Sequence, residues 1–146
     1  FVGPSVIADL TDVPAVEAQT GGHLKRRLPD DIKGKIVLLM TGWGAKRGTN
    51  REWFYFSPFL APSGAEWLVA QGVRAIGIDH YSIGGAREPE NSQTNRILLE
   101  AGLWFVEELN LPEEILDEPQ PFEFWSLPVN LQRFTGSFCR PVAVIH

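Results

Sequence analysis

The sequence predicts a single α/β domain in which buried parallel strands are connected by helices. A continuous apolar run from Ile36 to Met40 is typical of a strand covered on both faces. A helical segment, 63–72, and a second apolar strand, 73–79, follow with short connections, which favours parallel pairing of the two strands. At 146 residues and 44% hydrophobic content, the chain is long enough for one core and too short for two domains.

Composition narrows the classes of partner. The 18 acidic residues outnumber the 13 basic ones, and no basic run exceeds "LKRRL", so nucleic acid and anionic membranes are not expected partners. No apolar run approaches the roughly 20 residues that span a bilayer. The single cysteine, Cys139, excludes an intrachain disulfide and favours a reducing, cytoplasmic location. Because the chain starts at Phe1 without a signal peptide, we expect it to be part of a longer protein.

The first half of the chain contains two further predicted elements around the strand at 36–40. The β-branched segment "SVIADL" predicts a strand at 5–10, ended by turn residues. A short helix is predicted at 20–28, with Thr20 as its cap and Pro29 just beyond its end. The segment 44–62, polar and then aromatic, is predicted to be a long loop, and long loops in compact domains are often functional.

The helix predicted at 63–72 has capping signals at both ends. Ser63 and Glu66 have the spacing of a capping box, in which each side chain satisfies a backbone N–H of the first turn. Gly72 suits the C-terminal stop. The loop after strand 73–79 contains paired glycines and lies at the strand's carboxyl end, where ligands usually bind in open α/β sheets.

A second helix is predicted over "QTNRILLEA", with Asn91 or Ser92 as its cap and Gly102 as its stop. The strand "LWFVEEL" follows, and its period of two places Glu107 on the same face as two large apolar side chains. Two more strands are predicted at 122–131 and 137–146, joined by "RFTGS". An unpaired buried charge is costly, so the Glu107 carboxylate must be paired, metal-bound or beside a cavity.

Seven segments, in this order, resemble the cyclase family of metal-dependent hydrolases, which includes bacterial kynurenine formamidases, isatin hydrolases and a trans-dienelactone hydrolase. The segments are "VIADLTDV", "IVLLMTGW", "SGAEWLVAQGVRAIGID", "NRILLEAG", "VEELNLPEE", "EFWSLPVNL" and "GSFCRPVAV". The resemblance implies an α/β fold with a mixed, barrel-like β-sheet and flanking helices. It also implies a homo-oligomer.

The resemblance further implies a zinc or manganese site whose first ligands come from a His-x-Gly-Thr-His-x-Asp motif. That motif does not occur in these 146 residues. We therefore expect residues 1–146 to be one cyclase-like domain that lacks an N-terminal metal-binding segment, which a separate chain could supply. Of the later metal-binding pair of the family, Glu107 matches the glutamate, whereas Asn95 stands where the histidine is expected. An amide oxygen is a poorer ligand for these metals than an imidazole nitrogen.

Three residues are candidates for the substrate pocket. Trp43 matches a family position near the pocket, although an aromatic residue after a buried strand is as often part of the core. His80 follows a buried strand at its carboxyl end, although a lone histidine is more often structural. Asn95 either lines the pocket or is a polar residue of the first helical turn. Glu107 is the only metal-ligand candidate, and no catalytic residue is assigned within the chain.

Two functions remain open at this level. The first is a metal-dependent hydrolase acting on a cyclic or acyclic amide or ester, with this chain alone inactive. The second is a degenerate, non-catalytic family member that acts as a scaffold or binds a small molecule. The missing motif and Asn95 support the second, whereas the resemblance over most of the chain supports the first.

Overall fold

The computed structural model describes residues 1–145, so His146, the end of the last predicted strand, lies outside the described part. The strands are β1 Val2–Asp9, β2 Ala18–Gln19, β3 Ile36–Met40, β4 Phe59–Leu60, β5 Ala75–Ile78, β6 Trp104–Val106, β7 Phe122–Pro128 and β8 Cys139–Val144. The α-helices are α1 Gly21–Arg27, α2 Arg51–Tyr55, α3 Pro62–Gln71 and α4 Glu90–Glu100, with 3-10 helices at Trp43–Lys46 and Glu113–Asp117. Among the described residues, no helix combines the length and the apolar composition that a membrane span requires.

The main sheet is mixed and has six strands in the order β6-β5-β3-β1-β7-β8. Strands β6, β5, β3 and β1 run parallel, whereas β7 pairs antiparallel with β1 and β8 pairs antiparallel with β7. A separate parallel pair joins β2 to β4. The sheet forms an open half-barrel with flanking helices, which confirms the predicted α/β fold class.

Strand β3 shows why the sheet is buried on both faces. Its residues Val37 and Leu39 point into one apolar cluster, whereas Ile36, Leu38 and Met40 point into another on the opposite face. All five residues are buried, as the continuous apolar run predicted.

Different elements cover the two faces of the sheet. Helices α1, α3 and α4 pack on the first face through Leu24, Leu68 and Leu98. The segment that follows β6 covers the second face through Leu109 and Ile115. All three larger helices therefore lie on one side, and a loop with the 3-10 helix Glu113–Asp117 lies on the other.

Helix α3 begins two residues earlier than the capping box at Ser63 and Glu66 predicted, so that prediction was wrong. Its N-cap is Ala61, and Pro62 occupies the first helical position, so Ser63 lies within the first turn. Proline starts a helix well because its φ is already helical and it lacks an N–H that would need a partner. The predicted stop at Gly72 is confirmed, with φ of 69° in the left-handed region.

Helix α4 also begins earlier than predicted, at Glu90 with Pro89 as its N-cap, so the cap predicted at Asn91 or Ser92 was wrong. The Glu88 carboxylate accepts a hydrogen bond from the Ser92 N–H at 3.2 Å. A residue before the helix thus satisfies a first-turn donor that a side-chain cap would otherwise satisfy.

The predicted long loop at 44–62 contains regular structure, which corrects that prediction. Asn50 caps α2 by accepting a hydrogen bond from the Trp53 N–H at 2.9 Å, and Trp53 is buried. Strand β4 then pairs with β2. Elements of five and two residues are too short to show a helical or strand period in the sequence.

Strand β6 is shorter than the predicted strand "LWFVEEL". It ends at Val106, and Glu107 and Glu108 follow it. The predicted alternation holds within it, because Leu103 and Phe105 pack on the helix side whereas Val106 packs on the other. Regular pairing stops because Glu108 has a φ of 57°, which is incompatible with a strand.

Candidate functional site at the carboxyl edge of the sheet

The four parallel strands bring their carboxyl ends to one edge of the sheet. The residues directly after β3, β5 and β6 therefore meet there, and they include Thr41, Asp79, His80 and Glu107. This edge is the usual ligand position in open α/β sheets.

Asp79 anchors the loop after β3 to the end of β5. Its carboxylate accepts the Thr41 N–H at 3.1 Å on each oxygen and the Thr41 hydroxyl at 2.6 Å. Asp79 is only 1% exposed, and this burial raises the pKa of its carboxyl group although the bonds from Thr41 act in the opposite direction. Asp79 is therefore a buried acid whose described bonds all serve to hold a loop.

Trp43 lines a cavity of about 660 Å³ beside Asp79. Its backbone N–H donates to the Thr41 hydroxyl at 3.1 Å, and its indole Nε1–H donates to the Trp53 carbonyl at 3.3 Å. The indole is buried, and Lys46 Nζ lies 4.2 Å from the ring centroid. The structure thus places Trp43 both in the core and at a cavity wall.

His80 is fully buried, and both of its ring nitrogens have partners. Its Nε2 lies 2.7 Å from the Trp53 carbonyl, and its Nδ1 lies 3.0 Å from the Ser57 hydroxyl. Burial lowers the pKa of His80, which favours the neutral ring. A neutral, buried ring with both nitrogens bonded is suited to fixing local structure.

Glu107 is half-buried directly beyond β6. Its Oε1 accepts a hydrogen bond from the Ile83 N–H at 2.9 Å. No donor among residues 1–145 contacts its second oxygen, Oε2. Burial, with a smaller contribution from the charge of Glu108, raises the pKa of the Glu107 carboxyl group. One oxygen of a partly desolvated carboxyl group thus remains available.

Asn95 makes its hydrogen bonds inside α4. Its Nδ2 donates to the Asn91 carbonyl at 3.0 Å and to Asn91 Oδ1 at 2.7 Å. Asn91 Oδ1 also accepts from the Ser82 hydroxyl at 3.3 Å. The side chain that stands at the expected histidine position therefore braces the first turn of α4, and Asn91 makes the bond to the loop after β5.

The residues that the structure describes do not fit the zinc or manganese site that the resemblance implied. Within residues 1–145, no group of three or more His, Cys, Asp or Glu side chains lies close enough to hold a metal ion. Structural and catalytic zinc sites use at least three protein ligands, mostly nitrogen and sulfur or carboxylate oxygen. Glu107 with the amide of Asn95 falls short of that set.

The structure brings Trp43 and His80 together around Trp53, whose carbonyl accepts from both side chains. Glu107 instead contacts the loop between β5 and α4, and Asn95 bonds to Asn91 within α4. Sequence reasoning did not single out Asp79 or Thr41. Their position directly after buried parallel strands was the signal that could have found them.

The family model described as "Putative cyclase" matches residues 1–84. No curated protein sequence matches the chain at a significant level.

Several solved structures share the fold. A "potential metal-dependent hydrolase with cyclase activity" is 25% identical with a TM-score of 0.77, and the match covers 97% of this chain and 64% of that one. A "predicted metal-dependent hydrolase" from Bacillus stearothermophilus is 25% identical with a TM-score of 0.76, over 97% of this chain and 63% of that one. Isatin hydrolase A from Labrenzia aggregata, bound to benzyl benzoate, is 20% identical with a TM-score of 0.79, over 100% and 62%. The chain thus spans less than two thirds of the length of these proteins.

Proposed function

The chain belongs to the cyclase family, whose model matches residues 1–84 of its 146, and from this membership we propose that the protein is a hydrolase. Two similar structures of proteins described as metal-dependent hydrolases support the proposal. We further propose a cyclic or acyclic amide or ester as the small-molecule substrate. A cytoplasmic location is part of the same proposal and rests on composition.

The observation that carries the proposal is the state of Glu107. Its carboxyl group lies at the carboxyl edge of the parallel strands, is partly desolvated, and uses only Oε1 in the described hydrogen bonds. A carboxylate with a free oxygen at such an edge can bind a ligand or accept a proton.

Two other residues of the edge hold its loop in place. Thr41 and Asp79 fix the loop that carries Trp43, and Trp43 lines the cavity beside Asp79, whose described lining does not include Glu107. Because the described residues do not complete a metal site, we propose that the remaining ligands lie outside residues 1–145, on a preceding segment or a separate chain. The chain alone is then inactive and binds zinc or manganese weakly or not at all.

Elemental analysis after dialysis against zinc and against manganese tests whether the metal ligands are divided between this chain and another segment. We expect less than stoichiometric metal in the chain alone, and no hydrolysis of an amide and ester panel. Fusion to a segment carrying His-x-Gly-Thr-His-x-Asp should restore binding, and Glu107→Gln in that fusion should weaken it, since the amide keeps the shape but loses the charge. Stoichiometric metal in the unfused chain would contradict the proposal, as would an unchanged metal affinity in the fusion that carries Glu107→Gln.

A second candidate is a non-catalytic family member that acts as a scaffold or small-molecule binding protein. The specific observation in its favour is that Asn95 is engaged with Asn91 and does not offer a nitrogen donor toward Glu107. Hydrolysis by the fusion that keeps Asn95 supports the hydrolase and contradicts the second candidate. Inactivity of that fusion, with metal content that rises only in Asn95→His, supports a degenerate member that has lost a ligand.

We also propose a homo-oligomer, because large apolar side chains are exposed on the last two strands and their connection. They include Leu127 at 63%, Phe134 at 72% and Phe138 at 88% exposure. Exposed apolar surface of this kind is typical of contact surfaces. Sedimentation at tens of micromolar should show a dimer or larger species, and Phe138→Ser should shift it toward monomer. A monomeric parent chain would contradict this.

A further inference from the structure

Glu107 belongs to a closed circuit of hydrogen bonds that passes through His80 twice. The His80 carbonyl accepts the Glu108 N–H at 2.7 Å, one residue after Glu107. The Glu107 carboxylate accepts the Ile83 N–H at 2.9 Å. The preceding Ser82 N–H returns to His80 Nδ1 at 3.4 Å. The residue that follows Glu107 and the residue that precedes its partner Ile83 are therefore both bonded to His80.

The hydrogen-bond partners determine the tautomer of His80. The Trp53 carbonyl can only accept, so the ring nitrogen that lies 2.7 Å from it, Nε2, carries the proton. In the neutral ring Nδ1 is then an acceptor, which suits the Ser57 hydroxyl at 3.0 Å and the Ser82 N–H at 3.4 Å. The Ser82 carbonyl also lies 3.3 Å from Nδ1, but it receives no proton from the ring because the shorter contact, at 2.7 Å to the Trp53 carbonyl, takes the proton on Nε2. Nδ1 therefore holds Ser82, the residue before Ile83, and Nε2 fixes the ring to the Trp53 carbonyl of α2.

The ring is rigidly placed because the core surrounds it. His80 has no exposed surface, and its ring packs edge-on against Trp53 at a centroid distance of 4.9 Å. Trp53 itself is only 2% exposed. A histidine held in this way can transmit its position to the residues that it bonds.

The backbone beside Glu107 needs such support. Glu108 has a φ of 57°, a conformation that residues with a side chain rarely adopt and that persists only where neighbours hold it. The Glu108 N–H donates to the His80 carbonyl, and the Leu109 N–H donates to the Ile78 carbonyl at 3.0 Å. The Arg47 guanidinium also donates to the Glu108 carbonyl. Two residues, Glu107 and Glu108, are thereby displaced from the regular pairing of β5 with β6, in which Gly77 faces Val106.

We propose that His80 is a positioning residue for Glu107, acting through Nδ1 on the Ser82–Ile83 segment and through its carbonyl on Glu108. The proposal rests on the proposed function of Glu107 as the site carboxylate. It changes the expected role of His80 from a pocket-lining side chain to a buried one that aims the carboxylate.

A matched pair of substitutions separates the two ring nitrogens. In His80→Asn the amide oxygen stands as many bonds from the backbone as Nδ1, so it can still accept from Ser82. In His80→Gln the amide nitrogen stands at the Nε2 position, so it can donate to the Trp53 carbonyl but leaves the Nδ1 side empty. Leu68→Ala, in the core against α3, is the control for general destabilisation because Leu68 is fully buried.

The readout is amide hydrogen exchange of Ile83 by NMR, compared with the Leu38 amide in the central strand β3. We expect Ile83 to exchange at least about tenfold faster in His80→Gln than in His80→Asn, with little difference at Leu38. In Leu68→Ala both amides should change together. Glu107→Ala should accelerate Ile83 and make a subsequent His80→Gln substitution ineffective.

Equal Ile83 exchange in His80→Asn and His80→Gln, or faster exchange in the His80→Asn variant, would overturn the proposal. An Ile83 change in His80→Gln that Leu38 matches would also overturn it, because the effect would then be global. Metal content and hydrolysis in the fused protein test the proposed function separately. A change of Ile83 exchange without hydrolysis would refute the function and leave the positioning role of His80 standing.

Discussion

The buried contact between Thr41 and Asp79 allows a quantitative prediction through Thr41→Val. Valine has nearly the shape of threonine but lacks the hydroxyl. That hydroxyl donates to Asp79 at 2.6 Å and accepts from the Trp43 N–H at 3.1 Å. All three residues are buried, so water cannot replace either bond without rearrangement.

The magnitude follows from these two bonds. A hydrogen bond to a charged group contributes about 1.5–3 kcal/mol, and a buried donor left without a partner costs about 1–3 kcal/mol. We expect Thr41→Val to lower the free energy of unfolding by about 2.5–6 kcal/mol at pH 7. At roughly 2–4 °C per kcal/mol for a chain of this size, the melting temperature should fall by roughly 5–24 °C.

The effect of the valine should depend on pH. The pKa of Asp79 is already raised by burial, and the hydroxyl of Thr41 is one of the groups that oppose the rise. Removing the hydroxyl raises the pKa of Asp79 in the folded state further, whereas in the unfolded chain that pKa stays near 3.8. The folded variant therefore binds a proton more readily than the folded wild type, so its free energy of unfolding rises more as the pH falls through the folded-state pKa. The difference between variant and wild type should therefore shrink between pH 7 and pH 4.

Urea denaturation at pH 7, 5.5 and 4 measures this difference. Thr41→Ser is the control, because it keeps the hydroxyl and removes only a methyl group, at a cost of about 1 kcal/mol. If the valine and serine variants are equally stable at pH 7, or if the valine deficit grows in acid, the described contact does not stabilise the fold as argued.

Substitutions at two further buried positions, Gln19 and Gly77, test the packing of the fold. Gln19 is fully buried, and its amide has no hydrogen-bond partner among the described residues. Gln19→Met should therefore raise the free energy of unfolding by about 1–3 kcal/mol, and Gln19→Glu should lower it. A methionine variant that melts at a lower temperature than the wild type would contradict this. A Cβ on Gly77 would lie 2.5 Å from Leu109 Cδ1 and 2.7 Å from Leu38 Cδ2. Gly77→Ala should therefore lower the free energy of unfolding by about 1–3 kcal/mol, as measured by thermal melting. Gly136→Ala is the control and should be neutral, because a Cβ there would meet open space.

Strong local signals made most of the fold predictable from sequence. The apolar run from Ile36 to Met40 indicated the bounds of β3, and the stop at Gly72 ended α3 as expected. The starts of helices were less predictable. Pro62 and Glu88 replaced the side-chain caps expected at Ser63 and at Asn91 or Ser92, because several residue types can satisfy or remove the same first-turn donors.

The sequence predicted where the candidate site residues lie better than it predicted what each of them does. Glu107 was expected on a strand face, yet the left-handed conformation of Glu108 displaces it from the strand, and such backbone conformations at non-glycine residues leave no sequence signal. His80 was expected near a ligand, yet its role depends on Trp53 and Ser57, which are 27 and 23 residues away in sequence. Contacts of this range arise from tertiary packing, which periodicity does not report.

The position of β1 in the centre of the sheet has a consequence for the route of folding. One edge of β1 pairs with β3, but the other pairs with β7, and the Ser5 hydroxyl donates to the Phe122 carbonyl across 117 residues of sequence. During synthesis, β1, β3 and β5 must wait for β7 with an open edge and an uncovered apolar face, since Phe122 and Phe124 complete that face. Contacts of such long sequence separation slow folding, so the newly made chain is expected to depend on chaperones and to reach higher soluble yield when it is synthesised slowly and at low temperature.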